Sequence, residues 1–225
     1  MKNRSSKLAD FTEATVIDIK DAKYEINFDK LLIDANVLLF YYYDRWNQLS
    51  KFNLGARYYQ LKEYSRFFKR VLSSNVSVFV HEVCLLEFTH FIESVELKLL
   101  DCKKKGLTSF DPENFKLKDA RCLYKEDSKH IRSTLATYLN PISKRFYLVS
   151  NNDSIDQILG NLLIEWQSSN LADINDAAMI VEAKKLGIKA IISDDSDFIS
   201  FKGIDLYTAN DVAIEAYNKK VAAIN

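Results

Sequence analysis

Lys30-Leu31-Leu32-Ile33-Asp34 is a short apolar run closed by an acid. With no polar residue alternating inside it, such a run fits a strand buried on both faces, as strands are inside a parallel sheet. The pattern returns along the chain. Residues 76–80 read as a second buried strand, rich in β-branched side chains. Residues 146–149, 190–193 and 205–207 read as a third, a fourth and a short fifth. Between them lie helical stretches at about 54–72 (Leu61, Tyr64, Phe68 and Val71 at three- and four-residue spacing), 81–105, 118–139, 153–167 and 171–186. Gly106 and Gly187 stand where helix stops favour glycine, Asn140-Pro141 marks another expected stop, and Asn210-Asp211 offers a cap for a last helix. Strands alternating with helices predict an α/β fold, a parallel sheet of about five strands sandwiched by helices, with extra helices.

The same reading divides the chain. Residues 1–27 are mixed and charged, an N-terminal extension to which the sequence assigns no firm structure beyond a short strand around 15–19. Residues 28–225 form the α/β domain, with a helical elaboration at about 106–145. A length of 225 residues suits one elaborated domain. The chain is 48% hydrophobic and 12% aromatic, enough for a core, which excludes wholesale disorder. Five Gly and two Pro are too few for a barrel or sandwich of many short strands.

The 31 basic and 31 acidic side chains cancel, so no overall positive field marks a nucleic-acid binder, although a local basic rim is compatible with that balance. Cys84, Cys102 and Cys122 are an odd set without a CxxC pair, and imply neither a disulfide framework nor a zinc site. His81, His90 and His130 are scattered; His81-Glu82 lacks the second histidine of a metalloprotease helix, Leu85 standing in its place. The start lacks the apolar run of a signal peptide, and no stretch approaches a membrane span, so the expectation is a soluble, cytoplasmic protein without a membrane partner.

Ligands of open parallel sheets gather beyond the carboxyl ends of the strands. Asp34 ends the first strand, Glu87 lies about one and a half turns into the helix after the second, and Asp195 and Asp197 follow the fourth. Asp176 sits in the helix before that strand, in an otherwise apolar stretch. Taken singly, an aspartate at a strand end is more often a helix cap or turn former. Taken together, like-charged carboxylates brought within a few ångströms cannot all stay ionised without compensation. A divalent cation removes that conflict. Mg²⁺ and Mn²⁺ favour oxygen ligands and retain waters, one of which can attack phosphate, so metal-assisted phosphodiester hydrolysis is the expected reaction class.

At these positions the sequence resembles the PIN-domain ribonucleases, VapC-type toxins included. Leu32-Ile33-Asp34-Ala35-Asn36-Val37-Leu38 is similar to the family's opening motif, and Val80-His81-Glu82-Val83-Cys84-Leu85-Leu86-Glu87-Phe88 to its second, with Glu87 as the acid. Asp176-Ala177-Ala178-Met179-Ile180 resembles the third; Ile192-Ser193-Asp194-Asp195-Ser196-Asp197-Phe198 resembles the fourth, with serine in place of the usual threonine. The resemblance implies an endoribonuclease that cuts RNA with metal-activated water. In it Asp34, Glu87, Asp176 and Asp195 are catalytic and hold Mg²⁺ or Mn²⁺, and Asp197 is an additional ligand. Asn36 and Ser193 would orient the carboxylates. Asp173, one helical turn before Asp176, would serve as cap or auxiliary acid; Glu82 is a weaker rival of Glu87, and Asp194 would face solvent.

Two departures from a compact toxin stand out: 53 residues separate Asp34 from Glu87, and 89 separate Glu87 from Asp176. A toxin role would add an antitoxin protein as partner, and the family often forms homodimers. RNA-binding residues stay unassigned. Arg66, Lys69 and Arg70, then Lys103–Lys105, then Lys116, Lys118 and Arg121 form basic groups that are more often solvated faces than phosphate contacts. Tyr41, Tyr42 and Tyr43 either stack on bases or pack on a neighbouring helix. Two other functions are compatible with the sequence: a PIN-like protein- or RNA-binding module without useful catalysis, and a dehalogenase-like phosphatase. The phosphatase would want a second acid or hydroxyl where Asn36 stands.

Overall fold

Leu31, Leu32 and Ile33 are each no more than 1% exposed, because the strand they form has a neighbour on either side and helices over both faces. This computed structural model describes residues 2–21, 23–150 and 155–224. Its strands are β1 (Thr15–Asp18), β2 (Lys30–Ile33), β3 (Ser77–His81), β4 (Tyr147–Val149), β5 (Ala190–Ile192) and β6 (Asp205–Thr208). They make one sheet in the order β1-β6-β5-β2-β3-β4, with every pairing parallel. The helices in the first half of the chain are α1 (Lys2–Ala9), α2 (Ala35–Tyr42), α3 (Trp46–Ser50), α4 (Ser65–Leu72) and α5 (Glu82–Lys105). Those in the second half are α6 (Leu117–Leu123), α7 (Lys125–Arg145), α8 (Ile155–Ser169), α9 (Ile174–Lys185) and α10 (Asp211–Ile224). The α/β architecture is the one the strand–helix alternation predicts.

The sheet has six strands, one beyond the five clear runs. The sixth is β1, so the N-terminal segment is no appendage. Val16 and Ile19 are buried, β1 pairs with β6, and α1 lies along α10, where Ser5 Oγ donates to Glu215 Oε2 at 3.0 Å. The short strand expected around 15–19 is there, and its pairing with β6, which no local pattern announces, makes it part of the sheet. The arginines at 66 and 70 belong to this arrangement. Arg66 donates to the carbonyls of Ile19 and Lys20, while Arg70 lies over the Tyr24 ring and donates to its carbonyl.

Other departures have equally local causes. The expected helix over 54–72 begins later, as a π-helical turn Gln60–Tyr64 leading into α4. The single helix expected over 118–139 breaks at Tyr124, whose hydroxyl donates to Asp101 on α5 at 2.7 Å. It then runs past the expected stop at Asn140-Pro141 to Arg145. Pro141 removes one backbone donor, but the turn beyond it buries Ile142 and Phe146 against the core. The helix expected from Asp153 is seen from Ile155; residues 151–154 lie outside the described residues. Gly106 and Gly187 close their helices at φ 65° and 68°, a left-handed conformation that costs glycine least.

The strand order places β2 between β3 and β5, the point where the chain reverses its direction of travel across the sheet. There the loops after adjacent strands diverge and leave a crevice. Among the described residues, no helix is long and apolar enough to cross a membrane.

Burial sets the expected cost of core substitutions. Leu32→Ala should destabilise the fold by about 2–5 kcal/mol, each kcal/mol lowering Tm by about 2–4 °C. Leu148, 59% exposed on the edge strand β4, should tolerate alanine within about 0.5 kcal/mol. Denaturant or thermal melts of the two variants measure the contrast, and equal losses would contradict the central position of β2.

Candidate active site

Asp34 follows β2 directly and caps α2, accepting from the Ala35 amide at 2.6 Å through Oδ1. Its other oxygen accepts from Asn36 Nδ2 and from the Ser193 hydroxyl. Ser193 follows β5 and is fully buried; its oxygen in turn accepts from the Asp195 amide at 2.9 Å. Asn36 closes the loop by accepting the Asp194 amide at 3.1 Å. One acid, one amide and one hydroxyl thus lock the ends of adjacent strands together, and Asp34 keeps lone-pair capacity toward the open side.

That open side is a cavity of about 360 Å³ lined by Asp34, Asn36, Glu87, Asp173, Asp176 and Asp195, with Leu39, Phe40, Trp46 and Phe91 as an apolar wall. Glu87 reaches it from α5, where its Oε1 accepts from Asn175 Nδ2 at 2.9 Å. Asp173 caps α9, accepting from the Asn175 and Asp176 amides at 2.8 and 3.0 Å. Asp176 closes the capping box from the first turn, its Oδ2 accepting in return from the Asp173 amide at 3.4 Å. Asp195 caps the 3₁₀ turn Ser196–Ser200 through Oδ1. Five of the acids singled out in the sequence therefore line one cavity at the reversal point of the sheet.

Among the described residues, no Lys or Arg pairs with Asp34, Glu87, Asp176 or Asp195. The consequence is electrostatic. Burial pushes the Asp34 carboxyl up to about 7, against the pull of the Ser193 and Ala35 donors, and the charges of Asp195 and Glu87 add to the rise. Burial lifts Asp176 to about 8, reinforced by Asp34, Asp173 and Asp195. Glu87 is raised by burial too, with Asn175 opposing and Asp173 adding to it. The ionisable groups lining the cavity are all carboxylates, whose oxygens hard divalent cations prefer. Among the described residues, no three His, Cys, Asp or Glu side chains stand close enough to enclose a cation by themselves.

Two expectations change. Asp197 is absent from the lining of this cavity and pairs with Arg4 at 3.7 Å, while the charges of Asp195 and Asp173 still act on it. Asp194 does not face solvent. It turns inward, accepting from Tyr64 Oη at 2.8 Å and from Tyr59 and Gln60, so it fastens the loop after β5 to the segment before α4. Nor are the three tyrosines a rim. Tyr41 and Tyr42 meet edge to face, Tyr42 packs on Phe146, and Tyr43 is buried with its hydroxyl on Glu96.

Asn175 has no reading in the sequence, and Asn210, read there only as a helix cap, does more than accept the Val212 amide at 2.9 Å. Asn210 Nδ2 donates to the Asp194 carbonyl at 2.6 Å. Asn175 stands beside Asp176, yet nothing local signals that it meets a side chain 88 positions away. Gln60 and Tyr64 were readable as an i, i+4 pair on one helical face. Comparison with protein-family models and with curated proteins finds no match for this chain.

The raised carboxyls carry a pH signature. An acid whose folded pKa exceeds its ordinary 3.8 contributes stability that is full below that value and is lost as pH rises through the folded pKa, here about 7 for Asp34 and about 8 for Asp176. Asp176→Asn should therefore gain Tm relative to the wild type as pH is raised from about 4 to about 8 in EDTA. Parallel Tm-versus-pH curves for the two proteins would show that Asp176 is not held in this field.

Proposed function

We propose that the chain is a PIN-like, divalent-metal-dependent endoribonuclease. One observation carries the reading: carboxylates from four separate segments converge without cationic partners on one cavity at the reversal point of a parallel sheet. Asp34, Glu87, Asp176 and Asp195 are the residues that would hold Mg²⁺ or Mn²⁺. The cavity of about 360 Å³ leaves room for the waters that Mg²⁺ retains. Bound there, the cation supplies Lewis acidity and a water acidic enough to attack phosphate at neutral pH.

The chain's own residues do the rest. Ser193 and Asn36 hold the Asp34 carboxylate in one orientation, and the Asp173 cap fixes Asp176. Leu39, Phe40, Trp46 and Phe91 exclude bulk water from one wall, which strengthens every charge interaction inside. The open spacing of the acids favours a second reading, an RNA- or protein-binding module of the same fold without catalysis.

Purified protein with Mn²⁺ or Mg²⁺ and mixed single-stranded RNA separates the two. Cleavage is expected to vanish in EDTA and in Asp34→Asn, Asp176→Asn and Asp195→Asn proteins that keep the wild-type circular dichroism. Ser193→Ala should lose roughly 10–100-fold in rate. Cutting that survives both EDTA and Asp34→Asn would defeat the metal mechanism, and a folded protein that cuts none of the RNAs would leave the binding module.

A further inference from the structure

Beside the acidic cavity lies a larger one, of about 640 Å³, walled by Arg4, Arg57, Tyr59, Gln60 and Asn210. Both cavities include Asn36, Phe40 and Asp195 in their linings, so the two adjoin along that line. The second has the size of a small-molecule site and a different chemistry, because two guanidinium groups reach it from distant parts of the chain. Resting on the ribonuclease reading, we infer that this cavity seats a phosphate-bearing stretch of single-stranded RNA next to the bond to be cut.

A nest of acids repels a polyanion, and a substrate that must enter it needs cations at the threshold. Most arginines of this chain are spent elsewhere. Arg45 pairs with Glu96, Arg66 with Glu63, and Arg121 and Arg132 both with Glu93. Arg70 covers the Tyr24 ring. Arg4 and Arg57 differ by facing a cavity that opens on the candidate catalytic acids. Arg4 is steered there from α1 by Asp197 at 3.7 Å and Ser196 Oγ at 3.4 Å. Asp197 thus holds an arginine at the edge of the site.

Arg57 forms no ion pair among the described residues. Its backbone amide is tied to Gln60 Oε1 at 2.7 Å, and Gln60 is tied onward to Asp194, so the segment is anchored to the loop that carries Asp195. Its charge acts on Asp194 and on the Tyr59 hydroxyl. Planar guanidinium forks match phosphate oxygens. Tyr59 lines the same cavity as Arg57 and offers ring surface on which an unstacked base can lie. Cations along a groove with an aromatic face beside them are the pattern of single-strand recognition.

The α1 helix, joined to the sheet through β1, is therefore a working part of the site, because it delivers Arg4. The test uses fluorescein-labelled single-stranded RNA, with anisotropy read on the full-length Asp34→Asn protein in EDTA. Adding Arg57→Ala or Arg4→Ala should weaken binding roughly tenfold and lower the slope of log affinity against log salt by about 0.7 per arginine. Lys129→Ala, on an exposed pair with Glu126, should change neither. In the otherwise wild-type enzyme the same arginine substitutions should raise KM and leave kcat near its starting value. Folded arginine variants that bind RNA like their parent would overturn the subsite even if the wild type cuts RNA. Weaker binding in those variants, with no cutting by the wild type in Mg²⁺ or Mn²⁺, would uphold the subsite and overturn the ribonuclease reading.

Discussion

A buried carboxylate must be answered, by a cation, by a proton or by hydrogen-bond donors. Asp34 stands at the end of the central strand, 5% exposed, with the Ala35 amide, Asn36 and Ser193 as its donors. Those donors come from both sides of the gap between β2 and β5, so satisfying one acid also ties two strand ends together. The loop after β5 then has little freedom: Ser193 holds the Asp195 amide, and Asn36 holds that of Asp194. The geometry of the cavity follows from this junction.

Acids elsewhere in the chain are answered differently. Glu93 lies between Arg121 and Arg132, which hold its carboxyl below the usual range although burial pushes it up. Glu96 has Arg45 and the Tyr43 hydroxyl, and Asp101 has Lys105 and the Tyr124 hydroxyl. These pairs fasten α3, α6 and α7 to the long helix α5. At the sheet's reversal point the same residue types are left unneutralised, at a cost in stability. An arrangement that costs stability locally, within a fold that pairs its acids elsewhere, is the kind retained at functional sites.

Much of this was legible residue by residue. Leu31–Ile33, 190–192 and 76–80 read as buried strands because apolar runs of that length have few other homes. Four of the acids could be named because each sits a fixed number of residues from a strand end or helix start, and the topology brings strand ends together. Asp173 read as a cap because Asp-x-x-Asp before an apolar helix is a local signal. The misreadings share a cause. Asp194 reads as solvent-facing because nothing near it in sequence needs an acid; Tyr59, Gln60 and Tyr64, some 130 positions earlier, do. Pro141 reads as a stop because the burial of Ile142 is invisible in the local pattern.

The sequence by itself determined the class of fold, the order of its elements and the identity of its isolated acids, since apolar period, capping chemistry and glycine stops act within a few residues. Tertiary structure alone decided that residues 15–18 complete the sheet, that Asp197 meets Arg4 and that Asp194 turns inward. Those outcomes depend on which distant segments share a boundary. Pairing across more than a hundred residues is set by the packing of the whole sheet and leaves no trace in local propensity.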